Sequence, residues 1–93
     1  MTEREQLLER AKESTAKLTW LDTMIKHYTA LQWHTHEILE LMNAQTRHDD
    51  AARVLLHDTY ALTMRKLERL NDARDKHFAK HDVLMNNVIY GGE

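Results

Sequence analysis

Apolar residues in the first half of the chain recur at alternating steps of three and four. This spacing is that of the buried seam of an amphipathic or coiled-coil helix, and it predicts a helix over about residues 3–44. Thr2 and Glu5 have the spacing of a capping box, which favours a helix start near residue 3. Polar residues interrupt the seam at Ser14, Gln32 and Thr35. The apolar seam positions are Leu7, Ala11, Leu18, Leu21, Ile25, Tyr28, Leu39 and Met42.

The seam fades in a polar stretch at mid-chain, over residues 43–50. We place a tight turn there, at about residues 45–49, because Thr46 and Asp49 again have capping-box spacing. A second helix is predicted over about residues 50–90, and Gly91 is its natural stop. The predicted seam of the second helix contains Leu55 or Leu56, Tyr60, Leu67, Leu70, Ala73, Leu84 and Val88.

Neither predicted helix contains a residue that breaks helices. There is no proline, and the only glycines are Gly91 and Gly92. Two long helices joined by a short turn must lie antiparallel, so the predicted fold is all-α, a long antiparallel helical hairpin forming a single domain over residues 1–93. An alternative has three helices, because Thr19 and Asp22 also match a capping box and a break could fall near Leu18.

The first predicted helix is apolar over more than one face between about residues 20 and 44. A single antiparallel partner helix cannot cover all of this surface, and exposed apolar surface of that extent usually marks an interface. We therefore expect the hairpin to be completed as a bundle by oligomerisation, or to bind a larger protein. The predicted partner-binding residues are Trp20, Met24, Leu31, Trp33, Ile38 and Leu41.

Composition narrows the class of protein. The 93 residues contain no cysteine, which excludes disulfides and thiolate metal sites. No apolar run approaches the length of about 20 residues that spans a bilayer, so a soluble, cytoplasmic protein is expected. With 13 basic and 15 acidic residues, the chain lacks the one-sided basic charge of a dedicated nucleic-acid binder.

Histidine is the remaining candidate for chemistry. His77 and His81 are spaced i,i+4 and share one helix face, which in a hairpin would lie opposite residues 14–19. A metal site needs three or four ligands. No further histidine lies in that stretch, so no metal is expected. No nucleotide loop, nucleophile motif or metal-protease motif is present either. The sequence thus predicts no catalytic residue, no enzyme activity and no cofactor.

These observations favour a small non-catalytic protein–protein interaction protein. An adaptor, an assembly chaperone or an inhibitor of a larger protein would fit, as would a bacterial or phage accessory protein. The expected partners are a second copy, a larger protein, or both. The alternative is a small dimeric nucleic-acid-associated regulator.

Overall fold

The computed structural model describes residues 2–44 and 50–91, which form two helices. Helix α1 spans Glu3–Ala44 and helix α2 spans Asp50–Tyr90. There is no strand in this part of the chain, and the predicted all-α helical hairpin is confirmed. The predicted turn at residues 45–49 lies outside the described residues.

The alternative with three helices is wrong, because α1 continues without interruption through Leu18. The Thr19 hydroxyl does not cap a new helix. It donates a hydrogen bond of 3.0 Å to the Thr15 carbonyl, one turn earlier in the same helix. Thr2, by contrast, acts as the predicted cap, since its hydroxyl oxygen accepts a hydrogen bond of 3.2 Å from the Glu5 amide.

The hairpin divides into two packed units. We call Met1–Thr23 with Asn71–Glu93 the terminal unit, and Met24–Leu70 the central unit. In the terminal unit the buried apolar side chains are Ala11, Leu21 and Val88. In the central unit they are Leu39 and Leu70. Few apolar side chains are therefore fully withdrawn from water in either unit.

Buried threonines complete the seam of the central unit. Thr35 and Thr63 are both almost fully buried. Their hydroxyls donate hydrogen bonds to carbonyls four residues earlier, at 2.8 Å to Leu31 and 2.7 Å to Thr59. Because each hydroxyl is satisfied within its own helix, a buried threonine costs the seam little.

The register of α2 differs from the predicted one at one position. Ala73 is exposed, and the seam passes from Leu70 to Arg74, whose side chain is half-buried. Leu56 rather than Leu55 belongs to the seam, since Leu55 is 66% exposed. Both results follow from the alternating step of four and three, which counts from Leu56 through Tyr60, Thr63, Leu67 and Leu70 to Arg74.

Candidate interaction surfaces

Two histidines and a serine form a polar layer within the seam of the terminal unit. His77 and His81 lie opposite Ser14, as the antiparallel hairpin predicts. His77 Nε2 lies 2.8 Å from the Ser14 carbonyl oxygen, and His81 Nδ1 lies 2.8 Å from the Ser14 hydroxyl. Since a carbonyl only accepts, the Nε2 atom of His77 carries the hydrogen of this bond.

The side chains of this polar layer bond to one another across the two helices. Each imidazole already directs one ring nitrogen at Ser14. Within residues 2–44 and 50–91, no group of three or more histidine, aspartate or glutamate side chains is arranged to hold a metal ion. The histidines therefore join the two helices of the terminal unit through Ser14.

A second polar contact in the same unit involves Arg74, which the apolar spacing does not predict. Its Nε atom donates a hydrogen bond to the Asp22 carboxylate at 2.5 Å. Its guanidinium carbon lies 5.6 Å from the centre of the Phe78 ring. A strict count of the alternating seam from Leu70 would have found Arg74, but a search for apolar residues prefers the neighbouring Ala73.

The predicted partner-binding residues are exposed, with one exception. Trp20, in the terminal unit, is exposed, and in the central unit so are Leu31, Trp33, Ile38 and Leu41. Met24 is half-buried. These are the side chains that the hairpin leaves in contact with water, but they do not share one face. Leu31 and Trp33 are separated by about 200° of rotation around α1, which puts them on opposite flanks of the seam.

Leu31 belongs to a face that we call the aliphatic face, which also includes exposed leucines of α2 that the prediction missed. Its members are Leu31 and Ile38 of α1 and Leu55 and Leu62 of α2, and within each helix the two exposed residues are seven positions apart. Leu41 lies about 80° around α1 from both Leu31 and Trp33 and belongs to neither flank. Leu62 is 61% exposed and lines an open groove of about 430 Å³ together with Leu31 and Tyr28. The sequence offers one signal for this pairing, the seven-residue separation of Leu55 and Leu62 on α2.

Basic side chains border the groove on the aliphatic face. Arg65, Lys66 and Arg69 all contribute to its lining. The Lys66 Nζ atom lies 6.0 Å from the centre of the Tyr28 ring, within reach of a cation–π contact. The groove therefore combines an apolar floor with a positively charged border.

Trp33 lies in a different groove, which we call the aromatic groove. It has a volume of about 300 Å³ and is lined by Thr29, Gln32, Trp33, His36 and Tyr60. The Trp33 and His36 rings are stacked with their centroids 6.0 Å apart, and the His36 and Tyr60 rings follow at 6.2 Å. Trp33 is nevertheless 64% exposed, so most of the largest side chain of this groove contacts no other part of the described chain.

Two carboxylate side chains of α1 lie beside the aromatic groove. The Glu40 carboxylate lies 3.0 Å from His36 Nε2, and Glu37 lies one helical turn after Trp33 on α1. The Glu37 carboxylate also approaches His34, at 3.8 Å. The aromatic groove is thus bordered by acidic groups, whereas the groove of the aliphatic face is bordered by basic ones.

Comparison with known proteins adds no further constraint. No protein family matches the chain, and neither a curated protein nor a solved structure is similar to it. In the part of the chain that the structure describes, neither helix is long and apolar enough to cross a membrane.

Proposed function

We propose that the chain is a small non-catalytic protein–protein interaction protein that binds a larger protein through the aromatic groove. The observation that carries the proposal is the exposure of Trp33 at the edge of an open groove. Aromatic side chains that bury in desolvated pockets tend to dominate binding energy. Adaptors, assembly chaperones and inhibitors belong to this class of protein. We propose that the protein acts in the cytoplasm.

The partner of the aromatic groove is a protein segment with an apolar side chain next to a lysine or arginine. The apolar side chain would pack against the row of rings formed by Trp33, His36 and Tyr60. The basic side chain would meet Glu37 and Glu40 at the border, and opposite charges there favour correct association. Thr29 and Gln32 supply polar atoms for the backbone of the bound segment.

The same border argues against nucleic acid at the aromatic groove, because carboxylates repel phosphates. The specific observation for the alternative, a dimeric nucleic-acid-associated regulator, is the cluster of Arg65, Lys66 and Arg69 on the other flank. The dependence of binding on salt concentration distinguishes the two functions. Binding to phosphates weakens steeply as salt rises, whereas an association dominated by apolar contacts does not.

The proposed function is tested by capturing partners from the native host with three forms of the protein as bait. Wild type and Trp33→Ala are compared with Tyr90→Ala, which removes an exposed aromatic side chain outside the aromatic groove. We expect Trp33→Ala to weaken binding of a captured protein by about 2 kcal/mol or more. Tyr90→Ala should leave binding unchanged, and circular dichroism should show equal helix content in all three.

The proposal is wrong if every protein captured by the wild type binds Trp33→Ala equally well. It is also wrong if Trp33→Ala unfolds the chain, since Trp33 would then belong to the core. Loss of binding with both variants would place the contact outside the aromatic groove.

A further inference from the structure

Two opposite charges of α2 are spaced symmetrically about Leu62, a member of the aliphatic face. On α2, Asp58 precedes Leu62 by four residues and Lys66 follows it by four, so opposite charges lie one turn to either side. On α1, Leu31 lies at a similar level, and Ile38 lies about two turns after it. The Tyr28–Lys66 and His36–Tyr60 contacts bracket that level within the central unit.

This pair of charges is complementary to itself after a rotation of 180° about an axis perpendicular to the helices. In such an isologous contact, residue i of one copy meets residue j of the other, and the same contact occurs twice. Rotation about Leu62 brings Asp58 of each copy to the level of Lys66 of the other, and it brings the two Leu62 side chains together at the centre. Rotation about an axis parallel to the helices would instead bring Lys66 to the level of Lys66.

We propose that the aliphatic face is covered by a second copy of this chain, with each helix antiparallel to its counterpart. The central units of the two copies would then form a four-helix bundle around Leu62. The inference rests on the proposed function in that the chain acts by binding proteins, and it assigns a partner to a face that the aromatic groove leaves free. Trp33 remains accessible to a larger protein in this arrangement.

The exposed area of the chain is large enough for this contact. The chain exposes 7356 Å². A folded monomeric protein of its mass, 11.0 kDa, exposes about 5,600 Å². The surplus of about 1,700 Å² exceeds the area of about 800 Å² per partner that a standard stable interface buries. One dimer contact of ordinary size therefore fits within the surplus, and area remains for a further partner.

The position of the interface is tested by measuring mass in solution, by sedimentation or light scattering at micromolar concentration. Wild type should have the mass of a dimer, and Leu62→Glu should weaken dimerisation by at least about tenfold, because it places a charge at the centre of the contact. Met64→Glu is the matched control. Met64 is also exposed, at 42%, but lies about 200° further around α2, so this variant should stay dimeric.

The orientation is tested by charge reversal. Asp58→Lys and Lys66→Glu should each dimerise poorly alone, because like charges would meet twice across the axis. An equimolar mixture of the two variants should form a heterodimer, and the double variant Asp58→Lys, Lys66→Glu should recover the homodimer. Native mass spectrometry distinguishes these species when one variant is isotopically labelled.

A monomeric wild type would overturn the inference, as would a dimer that survives Leu62→Glu but not Met64→Glu. Failure of the charge-reversed mixture to favour the heterodimer would overturn the antiparallel orientation. These results are separate from the test of the proposed function, because loss of the dimer leaves the capture by Trp33 to be judged on its own. Binding of a foreign protein at the aliphatic face of a monomer would also reject the second copy as its occupant.

Discussion

At the scale of single residues, Leu21 contributes most clearly to the stability of the terminal unit. It is 2% exposed and has the largest side chain among the fully buried residues. We expect Leu21→Ala to lower the free energy of unfolding by about 2–5 kcal/mol, because it removes buried methyl groups and leaves a cavity. Urea denaturation monitored by circular dichroism measures this change.

Leu8→Ala is the control for this substitution. Leu8 belongs to the same unit and the same helix but is partly exposed, so its truncation should cost clearly less. Equal losses for the two variants would show that burial in the seam does not determine their contributions.

The residues of the core could be predicted from the sequence wherever they are apolar. The spacing of apolar residues predicts four buried seam residues that the structure buries: Leu21, Leu39, Leu70 and Val88. It does not predict Arg74, because hydropathy alone favours the neighbouring Ala73. A long arginine can occupy a seam position by packing its aliphatic stem there while its head group reaches Asp22 at the edge. A hydropathy scale scores the whole arginine as polar and therefore does not predict that its stem is buried.

At the scale of the helices, the layer formed by Ser14, His77 and His81 is the main polar interruption between α1 and α2 in the terminal unit. Removing one member should cost more than removing all three. Ser14→Ala leaves His81 Nδ1 without its hydroxyl partner, and we expect a loss of about 0.5–1.5 kcal/mol. The triple variant Ser14→Ala, His77→Leu, His81→Leu should be at least as stable as the wild type, since apolar side chains would then fill the seam.

Chemical denaturation of both variants at neutral pH tests this expectation. His34→Leu, at an exposed position of α1, controls for the general effect of replacing a histidine by leucine. If the triple variant were less stable than Ser14→Ala alone, the layer would contribute more to stability than apolar packing can replace.

The length of α1 shows why capping signals alone do not locate helix ends. Thr2 and Thr19 both have an acidic residue three positions later, but only Thr2 caps. The Thr15 carbonyl lies one turn before Thr19 in the helix, and the Thr19 hydroxyl donates a hydrogen bond to it. Thr2 lies immediately before the first residue of α1, so its hydroxyl oxygen is available to the Glu5 amide. The continuous apolar seam is the stronger signal, because breaking it would expose side chains on both sides of the break.

At the scale of the whole molecule, the candidate site was predictable only in part. The sequence shows that α1 carries more apolar surface than one partner helix can cover, and five of the six predicted residues are exposed. It does not show that this surface divides between two flanks. The division depends on which side chains of α2 lie beside each flank of α1. Leu62 and Lys66 lie beside the flank of Leu31, and Tyr60 lies beside the flank of Trp33.

A dimer formed through the aliphatic face has a consequence for thermal stability. If folding and association are coupled, mass action stabilises the folded dimer as protein concentration rises, by about 1.4 kcal/mol per tenfold. For two chains of this size, we expect the thermal midpoint to rise by about 3–6 °C per tenfold increase in concentration. Differential scanning calorimetry over a hundredfold range of concentration measures this slope.

Calorimetry on two variants tests whether the concentration dependence of the midpoint arises from contacts of the aliphatic face. Leu62→Glu should lower the midpoint. At concentrations where this variant is monomeric its midpoint should not depend on concentration, because the unfolding of a monomer involves no change in the number of molecules. Met64→Glu should retain the slope of the wild type, since it leaves the aliphatic face unchanged. A wild-type midpoint that stays constant across the range would mean that unfolding does not separate two chains, and it would contradict the dimer.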